Sequence, residues 1–264
     1  MTILITGITS GFGRAMAERL NADGHKVYGT FRKEGDRIPG VIYLKADVRN
    51  EEECKAAVDS VVAAEGGIDV FISNAGMGIG GPLEFCSIED AQLQMDTNFM
   101  GMVRFLHYVL PVMRRQGSGK ILCFSSIGGL MGLPFQGLYS ASKFAIEGYC
   151  EALRMEVRSF GIDVVVIEPG DFATKFTSQR KSVKDDEAYR VYKTYAASLA
   201  SIENDEQTGL KPEYLARKIS RIVMKKRPAC SYVISTFEQF LSTVLKRILP
   251  ARWFSAILSS YYKL

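Results

Sequence analysis

Apolar residues in this chain form short unbroken runs, and between the runs they recur every three or four positions. Thr2-Ile3-Leu4-Ile5-Thr6 is the first run, and Ile121-Leu122-Cys123-Phe124 is one of the most apolar. Runs of this kind suit strands buried on both faces of a parallel sheet. They predict strands near 2–6, 25–31, 41–45, 69–73, 119–125, 163–168 and 231–234. The stretches between them carry helical spacing, as at Ala15, Met16, Ala17 and Leu20, where Gly24 supplies a stop. Strands alternating with helices predict one doubly wound α/β domain, a parallel sheet of about seven strands with helices on both faces.

Two segments depart from this alternation. About 40 residues separate Thr174 from a helix start at Pro212, and 175–211 reads as an insertion over a binding site. It is highly charged from Arg180 to Glu187, and helical spacing then runs through Tyr189, Tyr192, Tyr195 and Leu199. The second segment is the tail, 236–264, which follows a main domain of residues 1–235. Phe237, Phe240, Leu241, Val244, Leu245, Ile248 and Leu249 predict an amphipathic helix. Pro250 interrupts it, and the pattern resumes at Trp253, Phe254, Ile257, Leu258, Tyr261 and Tyr262. Lys246, Arg247, Arg252 and Lys263 punctuate this stretch, against the single acid Glu238. Such a tail suits a helix lying in a membrane interface over 237–262. It equally suits a tail that packs on its own domain, roofs a pocket or joins a dimer.

Composition narrows the setting. With 264 residues, 47% of them hydrophobic, a single large core is the default. A net charge of +4 is too small to argue for nucleic acid. Five cysteines without C-x-x-C spacing suggest reduced thiols and a cytoplasmic protein. His25 and His107 are too separated for zinc, so no metal is expected. The first strand begins at residue 2, leaving no room for a signal peptide, and no run approaches the roughly 18 apolar residues of a membrane span.

The chemistry centres on Ser126, Tyr139 and Lys143. Residues four apart share a helix face, so the Lys143 ammonium can sit near the Tyr139 phenol and lower its pKa. Such a tyrosine can exchange a proton with a substrate oxygen, and Ser126 can hydrogen-bond the same oxygen. Tyr189/Lys193 and Tyr214/Lys218 have the same spacing, but no apolar strand leads into them; they read as solvated helix faces. Ser126 ends a strand, where open α/β sheets bind ligands. After the first strand, Gly7-Ile8-Thr9-Ser10-Gly11-Phe12-Gly13 offers a tight turn and a helix N-terminus for a pyrophosphate. A literal G-x-G-x-x-G at Gly76, Gly78 and Gly81 opens no helix and reads as a mobile loop beside the site.

Together these residues resemble the short-chain dehydrogenases/reductases over about residues 1–235, a family built on a Rossmann-like sheet. Thr6-Gly7-x-x-x-Gly11-x-Gly13 is similar to the family's cofactor motif, with Ser10 and Phe12 inside it. Asn74-Ala75-Gly76 is similar to its structural motif, Asp47-Val48 to its adenine contact, and Pro169-Gly170 with Thr174 to the segment against the nicotinamide. Asn98, Ser126, Tyr139 and Lys143 match the catalytic tetrad in order and spacing. The resemblance implies hydride delivery to a carbonyl carbon while Tyr139 protonates and Ser126 polarises the oxygen. It further implies that Lys143 holds the nicotinamide ribose and that Asn98 holds a water linking Lys143 to solvent. Homodimers or homotetramers built on helices near 88–115 and 138–159 are also implied.

Phe31 stands where the family's NAD enzymes carry an acid, and Arg32 follows it. NADP(H) is therefore favoured, with NAD(H) the alternative. Residues 128–135 after Ser126, with Met77, Ile79, Leu83, Phe172 and Phe176 beside other motifs, predict an apolar lining. The chain looks most similar to the hydroxysteroid and retinol dehydrogenase branch, and lipophilic substrates such as 3-keto-sphingoid bases fit as well. Three readings follow: an NADPH-dependent reductase of a lipophilic carbonyl, an NAD-dependent alcohol dehydrogenase, and a non-catalytic dinucleotide-sensing protein.

Overall fold

The computed structural model describes residues 1–33 and 35–264. The chain runs β1 (Thr2–Ile5), α1 (Gly11–Ala22), β2 (Lys26–Phe31), β3 (Ile42–Lys45), α2 (Glu51–Glu65), β4 (Val70–Ser73), β5 (Ile79–Gly80), α3 (Ile88–Met95), α4 (Gly101–Gln116) and β6 (Gly119–Phe124). It continues through α5 (Gly137–Val157), β7 (Ile162–Pro169), α6 (Phe176–Gln179), β8 (Lys181–Ser182), α7 (Asp186–Val191) and α8 (Tyr195–Thr208). It ends with α9 (Pro212–Val223), β9 (Ser231–Ile234), α10 (Phe237–Ile248) and α11 (Ala251–Tyr261).

Seven strands form one sheet in the order β3-β2-β1-β4-β6-β7-β9, every neighbouring pair parallel. Successive strand side chains point to opposite faces, which splits the core in two. Leu4, Phe71 and Ile121 face Val58 of α2, Phe105 of α4 and Ile146 of α5. Ile3, Ile5, Ile72 and Leu122 face Met16 and Leu20 of α1 and Ile219 of α9. The chain winds outward in opposite directions from β1 and β4, so a crevice opens at their carboxyl ends. The fold and its seven strands agree with the sequence pattern.

Local differences lie around that crevice. The Gly76–Gly81 stretch is not a free loop. Its β5 pairs with β8 of the insertion, Lys181 N–H donating to Gly78 O (3.0 Å) and Val183 N–H to Gly80 O (2.9 Å). The spacing from Tyr189 to Leu199 does not form one helix: the backbone breaks at Tyr192 (φ −95°, ψ 77°) between α7 and α8. The break lets Tyr189 stack on Tyr195 while Tyr192 meets Phe85 and Phe135 edge-on. α3 and α4 are joined through one π-helical turn, Asp96–Met100, which carries Asn98.

The tail folds as two helices broken at Pro250. It packs back on its own domain: Ser198 of α8 donates to the Tyr262 carbonyl at 2.5 Å, and Phe254 is buried. Its outward face stays open, with Phe237 76% and Trp253 66% exposed beside Phe240, Leu241, Ile248 and Ile257.

Candidate active site

The end of β1 and the start of α1 build one half of the crevice. Gly7 turns the chain with φ 74°, a left-handed conformation that glycine adopts without steric cost. Its N–H reaches both the backbone and the hydroxyl oxygen of Thr30 on β2. The Thr6 hydroxyl accepts from the Asn74 and Ala75 N–H groups at 2.9 and 3.0 Å. The Asn74 amide in turn donates to the carbonyls of Thr6 (2.9 Å) and Gly7 (3.1 Å). Two strand ends are thus tied into one rigid rim. Ser10 precedes α1 with no capping bond from its side chain, leaving the N–H groups of the first turn for a ligand. At Gly13 an added Cβ would lie 1.9 Å from the Gly7 carbonyl oxygen, so α1 can approach the turn only through a glycine.

A cavity of about 840 Å³ runs along this rim. Gly7, Ser10, Gly11 and Phe12 line its phosphate stretch, with Asn74, Ala75 and Gly76 opposite. Arg32, Asp47 and Val48 line one end, and Pro169, Gly170 and Thr174 the other. Thr6, Gly13 and Asn98 stand behind the lining and shape it. Arg49, not singled out by sequence, also lines the first end and holds both carboxylate oxygens of Asp47, at 3.0 and 2.6 Å. That pairing lowers the Asp47 pKa. A glycine cradle, an open helix N-terminus and two guanidinium groups fit a dinucleotide.

Ser126, Tyr139 and Lys143 line the same cavity, with Ser126 beside Pro169. The end of β6 carries Ser126, whose hydroxyl accepts from Gly128 N–H at 3.0 Å and makes a weak 3.4 Å bond to Pro169 O. α5 presents Tyr139 and Lys143 one turn apart. The ammonium of buried Lys143 donates to Phe124 O at 2.7 Å and lies 5.6 Å from the Tyr139 ring centroid. This arrangement changes the expected electrostatics. Burial pushes the Tyr139 phenol up to about 12, only partly offset by a hydrogen bond with Ser126. Burial also brings Lys143 down to about 8. The ammonium is anchored to the Phe124 carbonyl, and burial of the phenol outweighs the lowering that the spacing alone suggested. Tyr139 holds its proton at neutral pH. Among the described residues, Tyr189/Lys193 and Tyr214/Lys218 do not line the cavity.

Asn98 is buried. Its side chain accepts from Met77 N–H (2.8 Å) and donates to Met77 O and to the Ser142 hydroxyl (both 3.0 Å). It clamps the loop after β4 to α5.

The insertion and the tail close the far side with Phe176, Thr177, Gln179, Ile202, Asp205, Glu206 and Tyr262. Of the expected apolar lining, Met77, Leu133, Phe172 and Phe176 are present and Ile202 joins them, while Ile79, Leu83 and the rest of 128–135 do not line the cavity. Asp171, Asp205 and Glu206 make this end more acidic than the sequence suggested. Ile202, Asp205 and Glu206 stand three and four apart on one face of α8, a spacing hidden within a stretch that reads simply as polar. Tyr262 shows that the tail roofs the cavity. Among the described residues no group of three or more His, Cys, Asp or Glu could hold a metal ion.

Residues 1–185 match the family model for short chain dehydrogenase. The chain belongs to the short-chain dehydrogenase family. It is 44% identical over 263 residues to a 3-ketodihydrosphingosine reductase of Bacteroides thetaiotaomicron, covering 98% of this chain and 97% of that protein. It is 35% identical over 267 residues to human 17-beta-hydroxysteroid dehydrogenase type 1, covering 93% and 80%. A solved short-chain dehydrogenase from Streptomyces avermitilis superposes with a TM-score of 0.83 at 26% identity, covering 99% and 96%. Membership makes this chain an oxidoreductase using a nicotinamide dinucleotide, in the branch with hydroxysteroid and retinol dehydrogenases.

Proposed function

We propose that this short-chain dehydrogenase reduces a lipophilic ketone or aldehyde with NADPH. The observation that carries the reading is the meeting of Ser126 and a protonated Tyr139, beside cationic Lys143, at the end of a cavity otherwise shaped for a dinucleotide. The dinucleotide, when bound, supplies the hydride. Ser126 already accepts a backbone N–H, and its long bond to Pro169 O yields easily, so its proton can turn to a substrate oxygen. Tyr139 then protonates that oxygen as negative charge develops on it. Lys143 remains charged near neutral pH and stabilises the phenolate left behind. Arg32 and Arg49 support the 2′-phosphate of NADP over NAD, and Phe31 offers no carboxylate to a 2′-hydroxyl.

Two surfaces extend the reading. The exposed apolar face of the tail, with Lys246, Arg247 and Arg252, suits an anionic membrane surface from which a lipophilic substrate could be drawn. The groove between α4 and α5, lined by His107, Leu110, Tyr149 and Phe160, suits a homodimer.

The test pairs cofactor titration with turnover. NADPH should bind at least tenfold more tightly than NADH, and Arg32→Ala should remove most of that difference. Tyr139→Phe should lower carbonyl reduction at least about a hundredfold while NADPH titrates as in the wild type. Substantial reduction by Tyr139→Phe would exclude the mechanism. A preference for NADH would turn the search to alcohol oxidation.

A further inference from the structure

Gln136, immediately before α5, is 6% exposed and lines the cavity. Its side-chain amide does not cap α5 and makes no hydrogen bond among the described residues. A buried amide without a partner is costly, so this one is satisfied only by what enters the cavity.

The backbone on both sides holds Gln136 in place. Phe135 has φ 56°, a left-handed conformation that bulky residues rarely adopt. Its carbonyl accepts from Gly81 N–H at 2.8 Å, and its ring packs on Tyr192 and Tyr195 of the insertion. On the other side an added Cβ at Gly137 would lie 2.7 Å from Leu83 Cδ2, so only a glycine fits there. Gln136 itself donates to Leu133 O at 3.1 Å and accepts from Ser140 N–H at 2.9 Å. Backbone strain persists where the surroundings over-determine it, and it gathers at functional sites. Here the strained turn gives the Phe135 ring to the insertion and the Gln136 side chain to the cavity.

The reacting groups are close by. Tyr139 follows one helical turn after Gln136, on the same side of the chain. An added Cβ at Gly128 would lie 3.1 Å from Leu133, 3.3 Å from Tyr139 and 3.5 Å from Ser126 Oγ, so these three converge, and Gln136 is bonded to the first of them. A ketone oxygen offers two lone pairs, which the hydroxyls of Ser126 and Tyr139 fill. The amide is left for a second polar group of the substrate. Its oxygen accepts and its nitrogen donates, and a hydroxyl answers both.

We propose that Gln136 recognises a hydroxyl close to the reacting carbonyl, which makes the substrate a lipophilic hydroxy ketone. A plain alkyl ketone leaves the amide unpaired. The proposal rests on the reductase reading and names a substrate class for it.

The experiment compares kcat/KM for a long-chain 1-hydroxy-3-ketone with that for the 3-ketone of equal chain length, with NADPH saturating. The wild type should favour the hydroxy ketone about fivefold or more, the discrimination expected of one buried amide left unpaired. Gln136→Met keeps the length of the side chain and removes the amide; it should cut that ratio about threefold or more. Melting curves and NADPH titration establish that the variant is folded, and Gln136→Leu makes the same comparison if it is not. A smaller preference in the wild type, or a smaller change in the folded variant, overturns the proposal and leaves the reductase reading standing. If the wild type binds NADPH yet reduces neither ketone, the reductase reading falls, and the proposal falls with it.

Discussion

An alanine at position 13 would press its methyl group to 1.9 Å from the Gly7 carbonyl oxygen and 2.7 Å from the Asn74 amide, two groups fixed by the strand ends. Relief requires α1 to move away from the turn. Gly13→Ala should therefore weaken NADPH binding at least tenfold, measured by fluorescence titration. Glu168, at the end of β7, makes a different argument. Burial, with Glu147 nearby, lifts its carboxyl to about 7. A folded value above the unfolded one near 4.5 means that the folded state holds a proton the unfolded state releases. Stability is then full below about pH 4.5 and is lost as pH rises to about 7. Asp171 adds to the same trend. The melting temperature should fall between pH 5 and pH 8, and Glu168→Gln should melt higher than the wild type at pH 8 but not at pH 5. A variant that melts lower at pH 8 would show that the ionised carboxylate is paired. At this scale the grouping of Ser126, Tyr139 and Lys143 was legible because Ser126 ends a strand and the other two stand one helical turn apart. The acids at 171, 205 and 206 were not, because only the fold brings α8 over β7. The Tyr139 pKa was misjudged for a related reason: spacing gives proximity to Lys143 but not the burial that outweighs it.

Among the elements, the seven long strands were readable from apolar runs, since a strand covered on both faces must be apolar throughout. β5 and β8 were invisible, because two residues each leave no periodicity and their pairing is made by main-chain bonds. The π-turn at Asp96–Met100 was likewise hidden within a helical pattern. Such turns recur at functional sites, and here the turn carries Asn98 into a buried position between Met77 and Ser142. Asn98→Ala would leave the Met77 N–H without its partner, while the Met77 carbonyl keeps the Gln94 amide. At about 1–3 kcal/mol for a buried group left unpaired, the variant should melt roughly 2–10 °C lower. A drop of under a degree would show that water replaces the amide fully.

For the whole molecule, the tail decides how the cavity meets its surroundings. Gln239 and Tyr261 hold the acids of the pocket from inside, while Trp253 and Phe240 face outward. Among the described residues no helix is long and apolar enough to cross a membrane. Trp253 is the single tryptophan, so its emission reports on this face alone. It should shift to the blue with vesicles containing phosphatidylserine and stay unshifted with phosphatidylcholine alone. An unchanged spectrum with both would remove the membrane from the account. Sequence gave both helices and the break at Pro250, but not which face turns inward, because both faces carry aromatic residues.

The pairing of β5 with β8 ties the insertion to the cofactor rim through main-chain atoms only. Side-chain bonds, such as that from Tyr192 to Glu84, add to the attachment without setting its register. Residues 175–211 can therefore change composition widely without losing their register over the crevice. A family built this way can diversify in what it accepts while keeping one mechanism, since the hook that positions the cover is common to any sequence able to run extended for two residues.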